Sequence, residues 1–86
     1  MEKVQLLGVE LGSCKSIDVS KDLFVFWEVE LNLDGLAFLR SNRPNGRRLL
    51  QMTAEFRQGV VTITTETFGQ MEVYADWSVF NKPQGG

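Results

Sequence analysis

The chain has no histidine and a single cysteine, and no run of apolar residues is long enough to cross a membrane. The first absence removes histidine-based triads, histidine metal ligation and imidazole acid/base chemistry. The second rules out an intrachain disulfide and leaves Cys14, in a Gly-Ser-Cys-Lys stretch with only Lys15 beside it, as a structural thiol. The third, together with Glu2 beside Lys3 and the interruptions at Gln5 and Glu10, reads as neither a signal peptide nor a span, so a cytoplasmic protein is expected. Phosphate-binding glycine loops, zinc-ligand spacings and dinucleotide fingerprints are also lacking. Glu28 and Glu30, two apart on one strand, read as a solvated face and not as a catalytic or cation-binding pair. The expectation is therefore a non-enzymatic protein without cofactor or metal.

What is present is ordinary globular composition: 86 residues, 43% hydrophobic and 23% charged, with a formal net charge of −2. That length makes one domain with a modest core, and the charge argues against wholesale attraction to nucleic acid or membrane. A domain over 1–80 is expected, followed by a flexible tail over 81–86, where Lys82-Pro83-Gln84-Gly85-Gly86 has linker chemistry.

Period-two alternation organises the chain. Leu23, Val25, Trp27, Val29, Leu31 and Leu33 predict one long strand, with Leu23, Val25, Trp27, Val29 and Leu31 in the core. Eleven extended residues span about 36 Å, more than the width of so small a domain, so this strand is expected to bend or protrude. Leu50, Met52, Ala54 and Phe56 repeat the pattern, as do Val61, Ile63 and Thr65, and then Met71, Val73, Ala75 and Trp77. Val4 to Leu11 forms a first apolar segment. Turns are expected at Gly12 to Lys15, Ser20 to Asp22, Asn32 to Gly35, Arg43 to Gly46, Gln58-Gly59 and Gly69-Gln70.

The predicted fold is all-β, an antiparallel meander of about six strands closed into a small barrel or sandwich, because a flat meander leaves its apolar face in water. The alternative is α+β with a helix at about 47–58, whose residues are good helix formers; the unbroken alternation from Leu50 to Arg57 favours a strand.

Two surfaces stand out. Phe24 and Phe26 fall on the outward parity of the long strand, with Tyr74 outward on a later one. They read either as residues covered by Trp77, Val79 and Phe80 or as an aromatic patch for a protein partner, a second copy included. Arg40, Arg43, Arg47 and Arg48 supply four of nine basic residues in a stretch without acids, while the remainder carries five bases against eleven acids. That cluster reads as a solvated loop or as an anion or nucleic-acid contact. A small barrel holding an apolar ligand around Trp27 is a third reading. Among these, partner binding through the aromatic patch leads.

Overall fold

The computed structural model describes residues 1–39 and 47–74. The elements run β1 (Glu2–Leu6), β2 (Val9–Cys14), β3 (Ser16–Ser20), β4 (Leu23–Leu31), α1 (Leu33–Phe38), β5 (Arg48–Arg57), β6 (Val60–Thr65) and β7 (Gly69–Tyr74). All strand pairs are antiparallel, in the order β1-β2-β4-β5-β6-β7, with β3 in line with β2 along the same side of β4. The fold is all-β, as the alternation requires. The segment at 48–57 is a strand, and the helical alternative for 47–58 is discarded.

The single segment expected over Val4 to Leu11 is instead a hairpin. Leu7 and Gly8 both take left-handed conformations, φ 55° and 77°, which make the tight turn that matches strand twist. Gly12 to Cys14, expected as a turn, lies inside β2. There the register slips between Val4 and Gln5 because Leu11 is an extra residue on β2. Gly12 sits beside this bulge at φ 152°, where an added Cβ would lie 2.0 Å from the Glu30 carbonyl oxygen. Only glycine lets β2 approach β4 so closely.

The long strand departs from its predicted parity. Phe26 is 2% exposed and Trp27 37%, whereas Val29 and Leu31 are buried as expected. Phe24 and Phe26 therefore face inward with Val29 and Leu31, and Trp27 faces outward. The cause lies at Glu28, which takes φ 51° and lacks a paired partner between the Trp27–Gln51 and Val29–Leu49 pairs. The neighbours do the same at that level: β5 buries Leu49 and Met52 while Leu50 and Gln51 point out, and Lys15 and Ser16 point out between buried Cys14 and half-buried Ile17. Each of three adjacent strands spends one additional outward residue. The face exchanges while the register stays constant, since one pairing offset describes β4 with β5 on both sides of Glu28.

This double step divides the sheet. On one side lie β1, β2 and the ends of β4 and β5; on the other lie β3, the rest of β4 and β5, β6 and β7. Both halves feed one core, from Val4 and Leu11 through Phe26 and Met52 to Val61 and Ile63. The expected closure does not occur: among the described residues β1 and β7 remain the two ends of the hydrogen-bonded order. In its place α1 stops one end of the inner face by burying Leu36 and Leu39. Among the described residues Trp27 therefore lies on the outer face of an open sheet and not inside a closed barrel.

A six-residue helix does not persist alone. Asn32 caps α1 by accepting from the Gly35 amide at 2.7 Å, and it donates through Nδ2 to the Glu10 carbonyl at 3.1 Å and through its amide to that of Leu11 at 2.8 Å. A Cβ on Gly35 would lie 2.1 Å from the same Leu11 oxygen, so the helix rests its backbone on β2. Gly35→Ala is expected to cost about 2–3 kcal/mol by overpacking. Whole-domain stability for such a chain is of order 4–13 kcal/mol, so the loss shows as a clear fall in urea midpoint. An unchanged midpoint contradicts this packing.

Candidate interaction surface

The outward residues of the double step make the most distinctive surface among the described residues. Leu50 is 74% exposed on β5, beyond the point where β6 pairs with that strand. β6 ends opposite Met52, so the Leu50 amide has no ladder partner; it donates instead to Glu66 Oε2 at 2.7 Å. Trp27 lies on the same face, paired with Gln51, and its indole Nε1 donates to Asp18 Oδ2 on β3 at 2.8 Å. Both apolar groups are thereby held in place by carboxylates.

Two ion pairs lie on the same stretch of β4 and β5. Lys15 Nζ is 3.4 Å from Glu28 Oε2, and Arg48 Nε is 3.8 Å from Glu30 Oε1. All four side chains are well exposed, so each pair is worth at most about 1 kcal/mol and does not hold the fold together. Shallow depressions flank Leu50, one reaching Glu28, Glu30, Arg48 and Glu66, the other Gln51, Thr53, Thr64 and Glu66.

The residues singled out from sequence lie elsewhere. Phe26 is in the core, and Phe24 is half-buried on the same inner face, 6.3 Å from Phe26 and 5.1 Å edge-on from Phe56. Tyr74 is 79% exposed, but its neighbours in sequence and register put it on the outer face, because Met71 and Val73 oppose buried Ile63 and Val61. Phe24, Phe26 and Tyr74 thus form no common patch. Trp77, Val79 and Phe80 lie outside the described residues.

Of the arginine cluster, Arg40 and Arg43 lie outside the described residues. Arg47 and Arg48 are exposed, but Arg48 is beside Glu30, and the depression at Arg47 is shared with Glu2, Glu10 and Glu30. Acids from β1, β2 and β4 therefore lie near the two described arginines, together with Lys3, whose Nζ is 3.8 Å from Glu10 Oε1, so the charges there are mixed. Cys14 is buried, and burial first, then the nearby Glu2 carboxylate, pushes its thiol above the ordinary value. Among the described residues there is no grouping of three or more cysteine, aspartate or glutamate side chains able to hold a metal ion.

Sequence reasoning missed Leu50, Trp27 and Glu66 as surface elements. The available signal was Leu49-Leu50, adjacent apolar residues that interrupt strict alternation. Comparison of the chain with family models, curated proteins and solved structures finds no match. No helix among the described residues is long and apolar enough to cross a membrane.

Cys14 is expected to resist alkylation in the native protein at pH 8 and to react at once in denaturant, with a native rate that follows unfolding. Because the folded thiol is the harder to ionise, its contribution to stability is complete below its unfolded pKa and declines as pH rises through and above it. Fast native labelling by iodoacetamide overturns the burial.

Proposed function

We propose that the chain is a non-enzymatic binding domain that docks a protein partner, a second copy included, on the outer face around Leu50 and Trp27. The observation that carries this reading is the 74% exposure of Leu50 in a depression it shares with Glu28, Glu30, Arg48 and Glu66. An apolar centre with a polar rim is the anatomy of a protein interface. Glu66 fixes the Leu50 backbone and Asp18 fixes the Trp27 indole, so little freedom is lost when a partner covers them. The rim, carrying Glu28, Glu30 and Glu66 against Lys15 and Arg48, favours a partner with a basic edge.

Leu50→Lys tests this. Stability should move by no more than about 0.5 kcal/mol, as for other exposed positions. Binding, read as self-association by analytical ultracentrifugation and as partner capture by immobilised protein, should weaken at least about tenfold. Behaviour equal to the parent protein in both assays rejects the reading.

A further inference from the structure

Two carboxylates on the outer face are answered only by neutral donors. Asp18 lies on β3 opposite Val25, and its Oδ2 accepts from the Trp27 indole at 2.8 Å. Glu66 begins the turn after β6, and its Oε2 accepts from the Leu50 amide at 2.7 Å. Both residues are exposed. The ion pairs among the described residues use Glu10, Glu28, Glu30 and Glu55, and neither of these two. Arg48 shares a depression with Glu66 but lies against Glu30. An indole or amide N–H satisfies a carboxylate oxygen without cancelling its charge.

Across the sheet these groups make one diagonal stripe: Asp18 on β3, Trp27 on β4, Leu50 on β5 and Glu66 past the end of β6. Two apolar side chains therefore sit between two carboxylates. β3 and β5 are two strand spacings apart and β6 is one further, which sets the carboxylates about 10–14 Å apart. In an extended chain, residues four apart point to the same side at a separation of about 13 Å. The residue midway between them points that way too.

We infer that the outer face takes an extended basic segment of a different protein, with lysine or arginine at two positions four apart and an apolar residue midway. The cations meet Asp18 and Glu66, and the apolar side chain rests between Trp27 and Leu50. This inference rests on the outer-face reading above and narrows its partner. A symmetric pair of this chain brings the patch against itself. With the axis at the middle of the stripe, Trp27 faces the second copy's Leu50, but Asp18 faces the second copy's Glu66, acid against acid. Around the stripe Asp18, Glu28, Glu30 and Glu66 stand against Lys15 and Arg48, four negative charges to two positive, a net of −2. Patches of like charge repel, so a second copy is the poorer occupant and a basic segment the better one.

The probe is the capped peptide Gly-Lys-Ser-Leu-Ser-Lys-Gly, titrated into the isotope-labelled full chain and read by NMR at the Trp27 indole and Leu50 amide. Saturable shifts are expected at low salt, weakening as salt rises. Asp18→Asn and Glu66→Gln keep an acceptor oxygen for Trp27 and Leu50 while removing the charge. Each should weaken binding about threefold, and the two together about tenfold. Glu72→Gln, which removes the same charge from the outer face of β7, should leave binding unchanged, and a peptide with glutamate for both lysines should not bind. Equal weakening by Glu72→Gln reports overall charge alone and overturns the inference, as does the absence of saturable shifts at about 1 mM peptide. Sedimentation of the same proteins separates the two readings. Self-association that Leu50→Lys removes, without carboxylate-dependent peptide binding, overturns this inference and leaves the outer-face reading in place. A Leu50→Lys protein equal to the parent in both measurements removes the outer-face reading and this inference with it.

Discussion

The double step at Lys15, Glu28 and Leu50 is the constraint on which the rest of this structure depends. A strand has a side-chain period of two, so one extra residue in one strand slips its register against both neighbours. Here β4, β5 and the β2–β3 line each spend a residue at the same level, and the pairing passes through unchanged. The side chains exchange faces, and the apolar sets of the two half-sheets meet in one core. Glu28 bears the local cost, because a left-handed conformation disfavours a residue with a side chain by about 1–2 kcal/mol.

The same step produces both surfaces. Had alternation continued through Glu28, Phe24 and Phe26 would face solvent and Trp27 would sit inside. Instead the phenylalanines pack with Phe56 and Met52, and the two adjacent outward residues on each strand leave Trp27 and Leu50 beside charged neighbours. The inner face is thus aromatic and covered at one end by a helix, and the outer face is polar with an apolar centre.

Much of the fold was legible in the sequence for a simple reason. One-sided burial imposes alternation, and β4 through β7 carry it in their residues, with Gln58-Gly59 marking the β5–β6 turn. What stayed hidden was local conformation that residue type does not declare. Leucine at position 7 gives no turn signal, and Gly12 serves close strand approach, not chain reversal. Six residues of α1 are too few to establish a helical period, and its stability comes from Asn32 and two leucines packed at a distance in sequence. The candidate site was less legible still. The arginine run was visible, but the acids near Arg47 and Arg48 arrive from β1, β2 and β4, and Leu50 is placed outside by a step shared among three strands.

The resting of α1 on the Leu11 carbonyl has a consequence for the order in which the chain assembles. Most strands pair with their immediate successors, and four of these hairpins close short loops and form rapidly, whereas β4 and β5 are joined through the longer segment that carries α1. The exception is β2 with β4, which meet only after the β3–β4 hairpin has turned the chain back. Until those two strands join, Asn32 has no Leu11 or Glu10 carbonyl to donate to, and Gly35 has no backbone to lie against. Helix formation therefore follows the pairing of β2 with β4, as a latch that records that the two strands have found each other in the correct register.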